Sequence, residues 1–471
     1  MAQLPQLDAQ PLVAQPNLST AYLERPQTFS NNAAAVRWAA LTLLVMAGSI
    51  LRVIACFRHT PLELQVSDPA RWWHEATHLF TIEPITAIDA FGYQLWLGIV
   101  AAITRRSEVG LALHNATLSL LAPWIWYRAI KEIAEDDDLA LAGWALFCWL
   151  PSWIAIYSYT MSETLFLPLF GASLWLSFRA RRLQTTSSFA LAAFVWTLAS
   201  ATRVFALPLA LPILLWVLFG VSGRVRKSLF ASLLVAILVV PLSLRMHYLL
   251  RVWNPFGLPQ MNEIYMESGK QTVRLSISRD FGSYKWLYEF GSPALYQEPL
   301  APLSHWTSSR KDIVTFAINE DHGMADWHEA RVKNSVPWRA RLRIWAENYV
   351  FFNFAPSWPD NNPDRFWDNA AVALRWTWAP LGIFVLGYAL WNFKQSRTGT
   401  GLMIFLAALS WLLTPLLPAV MEGRYRKPVE GLLITAVLLI VGSRRPAMEV
   451  RDPAQFERLS QIARHLVLAR S

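Results

Sequence analysis

Residues 33–57 read AAAVRWAALTLLVMAGSILRVIACF, a block in which only Arg37 and Arg52 are charged. No polar stripe recurs at helical spacing, and a helix that is apolar all round belongs in a core or a bilayer. The block exceeds the roughly 20 helical residues needed to cross a ~30 Å hydrocarbon layer. Similar blocks follow at roughly 107–130, 139–158, 163–179, 187–202, 204–220, 228–250, 371–393, 401–419 and 429–443. A shorter one, at about 90–104, reads as an interfacial or re-entrant helix, or as an eleventh span.

Composition agrees with these blocks. Of 471 residues, 54% are hydrophobic and 16% charged, against about 25% charged in soluble domains. Disorder, a collagen-like fibre, a disulfide scaffold and a soluble enzyme are thereby excluded. The expected fold is an all-α polytopic membrane protein of about 10–11 transmembrane helices, with an amphipathic first outer loop and a large late one. The net charge of +9 is scattered between apolar blocks, which argues for topology-setting loops rather than a nucleic-acid surface. Cys56 and Cys148 both sit in apolar runs and form no metal or disulfide pattern.

Positive groups sit at Arg179/Arg181/Arg182, Arg224/Arg226/Lys227, Lys394/Arg397 and Arg444/Arg445. Ten spans and a cytoplasmic N-terminus place all four groups inside. The expected organisation is a disordered cytoplasmic tail at 1–32, an N-terminal transmembrane catalytic module at 33–250 with an outer loop at 58–89, an extracytoplasmic loop domain at 251–370, C-terminal helices at 371–443 and a cytoplasmic tail at 444–471.

Ionisable residues beside apolar blocks are expensive and are therefore functional candidates. Arg52 ends the first block. Asp68 and Glu75 lie in the first outer loop, and Asp68 before Pro69 also reads as a helix start. Glu163 follows Ser162 at a turn between two blocks, suited to catalysis or to the helix dipole. Arg203 sits within apolar sequence and needs an anion or an ion-pair partner. Arg245, with His247, and Arg424, with Tyr425, lie at outer ends, where a substrate phosphate or lipid headgroups would explain them. His322 and His328 are six residues apart, which is not the spacing of a helical zinc pair. No metal site is expected from these residues. Asn17 and Asn115 match the glycosylation pattern but fall in the expected tail and in an apolar block.

Taken in order, these residues resemble the GT-C superfamily of membrane glycosyltransferases, closest to the dolichyl-phosphate-mannose protein mannosyltransferases and aminoarabinose transferases. Leu51-Arg52 followed by Asp68, then Ser162-Glu-Thr-Leu165, Ala201-Thr-Arg203, Pro241 to Arg245, and Arg424-Tyr-Arg-Lys-Pro428 carry the resemblance across about 50–440. The chain departs from the pattern at Pro69, where the family commonly has a second acid that Glu75 could replace, and at His247, where Asn is usual. The segment Trp196–Leu207 is also similar to GPI mannosyltransferases.

The resemblance implies inverting transfer of a sugar from a polyprenyl-phosphate donor to a hydroxyl on a glycan, lipid or protein, in a multi-pass protein of the bacterial inner membrane with an outward-facing site. It implies Asp68 as general base, Arg203, Arg245 and Arg424 on the leaving phosphate, and Glu163 orienting the acceptor or an arginine, or binding a divalent metal if one is used. No other cofactor is expected. Two other readings fit many spans with a late loop. One is an O-antigen-ligase-like enzyme that would depend on His305, His322 and His328. The other is a transporter or flippase.

Overall fold

The computed structural model describes residues 27–63, 65, 68–79, 90–250, 253–256, 263–267, 270–278, 311–317, parts of 342–354, 365–394, 398–416 and 423–443. Asn17, His305, His322, His328 and the tails before 27 and after 443 lie outside the described residues. The chain divides into a unit Met1–Ala40, whose described part is the start of the first helix, and a unit Leu41–Ser471 that holds all that follows.

The described chain is predominantly helical. In order it forms α1 Gln27–Arg58, α2 Asp68–Thr77, α3 Phe91–Ile103, α4 Glu108–Ala134, α5 Asp137–Trp149, α6 Pro151–Ala155, α7 Ser162–Leu183, α8 Thr186–Thr202, α9 Leu207–Leu218, α10 Arg224–Leu250, α11 Arg365–Trp391, α12 Gly399–Leu413 and α13 Lys427–Ser443. Short 3₁₀ turns occupy Ile156–Ser158, Val204–Ala206, Thr414–Leu416 and Gly423–Arg426. Several starts are set by side-chain caps. Ser107, Asp136, Thr185 and Thr398 accept from the backbone N–H three residues on, satisfying donors that a helix start leaves unpaired.

Three helical stretches among the described residues, Ala34–Arg58, Arg224–Tyr248 and Gly399–Leu416, are long and apolar enough to cross a membrane. A fourth is the pair Asp137–Trp149 and Pro151–Ser158, bent by 62°. Exposed apolar residues line two of these helices. Leu229, Leu233, Ile237, Val240 and Leu244 recur along α10, and Leu43, Met46, Ile50 and Ile54 along α1. Apolar faces this continuous exceed what water-facing monomers carry. Helix α4, with 27 residues, carries buried Asn115 and Ser119 and is not among these stretches.

Two expectations are corrected. Helix α1 begins at Gln27, inside the segment read as a tail. The chain is also not all-α: β1 Glu263–Glu267, β2 Lys270–Ser278 and β3 Lys311–Ala317 form an antiparallel sheet in the order β1-β2-β3. The sequence carries the reason. Val273, Leu275 and Ile277 alternate with polar residues, the period of a strand. The register sets Val273 opposite Phe316 and Leu275 opposite Val314.

The core is aromatic. Trp126 of α4 donates to the Leu167 carbonyl at 3.0 Å and packs against Phe147, Trp153 and Phe170. Glycine makes room for it on both sides. A Cβ at Gly171 would stand 2.7 Å from the indole, and one at Gly431 2.6 Å. Small residues thus let α7 and α13 close on α4.

Candidate functional site

Six elements bring chemistry-bearing residues toward one end of the bundle. Helix α7 starts after Met161 with no side-chain cap, so its first turn carries exposed helix-dipole charge that suits the Glu163 carboxylate. Glu163 is fully buried and ion-paired with Arg203. Arg203 sits where α8 ends, in extended conformation, so its side chain leaves the helix axis. Its guanidinium also lies over the Tyr425 ring, 5.4 Å from the centroid. Three distant stretches of sequence therefore meet at one arginine.

A second group lies on α2, α3 and α10. Glu75 is 1% exposed, and its Oε2 accepts from Gln94 Nε2 at 2.9 Å. Arg245 is close enough to Glu75 to feel its charge and stacks over Phe91 at 3.9 Å. Gly92 joins the two groups. A Cβ there would stand 2.6 Å from the Ala201 carbonyl oxygen, so α3 rests on the last turn of α8, two residues before Arg203.

Asp68 opens α2, with Arg71 Nη2 at 3.2 Å from its Oδ1. The start of α2 is tied to the approach to α7: Thr160 Oγ1 donates to the Pro69 carbonyl at 2.9 Å and accepts from Gln65 at 3.1 Å. Trp72 packs edge-on against Tyr93, centroids 5.1 Å apart. Asp68 thus belongs to the same end as Glu163.

Not every candidate joins them. Arg52 is fully buried and spends its guanidinium on protein carbonyls. It donates to Ser119 O at 2.8 Å, Ser119 Oγ at 3.0 Å, Phe147 O at 3.1 Å, Cys148 O at 3.4 Å and Trp153 O at 2.9 Å. The expected substrate contact is replaced by a structural one, which pins the break between α5 and α6. His247 stacks on Trp253, centroids 4.0 Å apart; residues two apart on a helix do not share a face, so it does not extend the Arg245 group. The backbone of Arg424 lies in the Gly423–Arg426 turn, and its side chain lies outside the described residues.

Arg426, two residues after Arg424, is satisfied internally. Its Nε lies 2.9 Å from Glu430 Oε1, and its Nη1 donates to Phe352 O and Asn353 O. Glu430 also accepts from Ser152 at 2.6 Å. The signal was present, since Glu430 stands one helical turn after Arg426. Glu430→Ala is expected to destabilise the fold by about 3–5 kcal/mol, because a buried cation loses its partner. The double change Arg426→Met with Glu430→Leu should recover only part of that, because the Phe352 and Asn353 carbonyls lose the Arg426 donor; the readout is the thermal midpoint in detergent. A double variant as unstable as the single one would refute it.

Among the described residues no group of three or more His, Cys, Asp or Glu is close enough to hold a metal ion. No family model and no curated protein matches this chain.

Proposed function

We propose that the chain is a membrane glycosyltransferase of GT-C type, spanning the bilayer about ten times, and that the Glu163–Arg203–Tyr425 and Glu75–Arg245–Phe91 groups form its donor site. The observation that supports this is the gathering of acids and guanidinium groups from separate helices at one end of the bundle. Such groups are costly beside lipid and are kept for a purpose.

In this reading a polyprenyl-phosphate sugar lays its tail along the bundle and its phosphate against Arg203 and Arg245. Guanidinium matches phosphate in shape as well as charge. Glu163 holds Arg203 in place, the orienting role foreseen for it. The acceptor hydroxyl gives its proton to Asp68 as its oxygen bonds to the anomeric carbon from the face opposite the phosphate. The bond from carbon to phosphate oxygen breaks, and its electron pair leaves with the lipid phosphate, which the cations stabilise. One displacement inverts the anomeric centre.

The test is release of lipid phosphate from a panel of polyprenyl-phosphate sugars by the purified protein. Arg203→Ala is expected to lower release about a hundredfold or more, the range of lost charge-stabilising donors, and Arg203→Lys by less. Equal losses would remove the two-pronged phosphate contact. Movement of intact lipid across sealed liposomes without bond cleavage would replace the whole reading with transport.

A further inference from the structure

The opposite end of the bundle holds a second feature. Helices α4 and α7 run parallel, as shown by contacts of Trp126 with Leu167, Trp124 with Trp175, and Glu132 with Arg182. Where both helices end, an open cleft of about 380 Å³ lies between them. Two of its ion pairs are internal. Arg182 Nη2 lies 2.7 Å from Glu132, and Lys131 Nζ lies 2.6 Å from Asp137. Arg128, Arg179 and Glu135 also line the cleft, which thus holds four cations and three carboxylates, and among the described residues neither of these two arginines is paired with a carboxylate.

Their setting is repeated. Each stands four residues after a tryptophan, Trp124 on α4 and Trp175 on α7. The two indoles meet edge-on at 6.2 Å, and Arg128 lies over both rings, at 5.8 and 4.9 Å. Tryptophan favours the headgroup level of a bilayer, and arginine reaches past it toward water. Above Trp124 the same face of α4 is apolar and exposed at Leu113, Leu120 and Leu121. The molecule therefore presents, in order, an apolar stripe, a tryptophan pair and two arginines that give the cleft one cation more than its three carboxylates.

We infer that this cleft seats the phosphate of an anionic phospholipid between Arg128 and Arg179, with an acyl chain along the Leu113–Trp124 face of α4. The site is separate from the proposed donor site and does not depend on it. A free phosphate ion shares the headgroup chemistry but has no use for the stripe, so the two sources can be told apart.

The test uses the full chain in detergent with an equimolar mixture of phosphatidylglycerol and phosphatidylcholine, counting retained lipid by native mass spectrometry. Two phosphate-facing cations of ordinary strength give a preference of about thirtyfold for phosphatidylglycerol. The double variant R128Q/R179Q should bring it to about twofold or less. A wild-type preference below about threefold overturns the inference without any variant, and so does a folded double variant that retains phosphatidylglycerol as the wild type does. Displacement of the lipid by millimolar inorganic phosphate would assign the cleft to a free anion and overturn the lipid.

Discussion

Arg52→Met is expected to lower the stability of the folded chain by about 3–5 kcal/mol, because buried acceptors left without donors cost about 1–3 kcal/mol each. Two of the acceptors arise from prolines, the Ser119 carbonyl from Pro123 in α4 and the Phe147 carbonyl from Pro151. Proline has no N–H, so the carbonyl four residues earlier loses its helical partner. The turn bends by 62°, and Arg52 supplies Phe147, Cys148 and Trp153 with hydrogen bonds from outside the helix. Methionine fills similar space and donates nothing. Lysine should recover only part of the loss, since one ammonium cannot span acceptors on α4, α5 and α6. Thermal unfolding in detergent, followed by tryptophan fluorescence, reads the effect. A midpoint within a degree or two of the parent would show that the bend holds without Arg52.

Asp68→Asn carries the largest expected effect on activity. A positioned base contributes typically 10²–10⁴-fold, so release of lipid phosphate should fall about a hundredfold or more with the thermal midpoint unchanged. Folding should survive because asparagine also starts helices well, and α2 keeps its tie from Thr160 to the Pro69 carbonyl. The side chain of Asp68 is 19% exposed, which leaves room for an acceptor to approach. Near-normal turnover would remove Asp68 as base and leave it as a helix start paired with Arg71.

Periodicity and apolar length made most helices legible. The block at 107–130 became Glu108–Ala134, 163–179 became Ser162–Leu183, and 187–202 became Thr186–Thr202. The short block at 90–104 is the 13-residue α3. The block at 139–158 was harder, because Pro151 is one residue in a continuous apolar run and its bend depends on a donor 99 residues earlier. Long-range pairing was the least legible part. Arg52 and Arg203 look alike in sequence, each a lone cation in apolar surroundings. One is consumed by carbonyls and the other meets a carboxylate and a tyrosine ring. Nothing local separates them, since the difference lies in what other helices bring. The alternation at 273–277 is that of a strand, but it lies inside the 251–370 segment between apolar blocks, and its partner strand at 311–317 is more than 30 residues away.

The pinned bend also orders the making of the protein. Phe147 follows Arg52 by 95 residues, so the donor leaves the ribosome well before the carbonyls it must satisfy. The bent pair of α5 and α6, folded without α1, would bury bare carbonyls among apolar groups, where each is penalised by several kcal/mol. Synthesis from the N-terminus has α1 already waiting. A circular permutant that begins after α1 and supplies it last would make the bend before its partner exists.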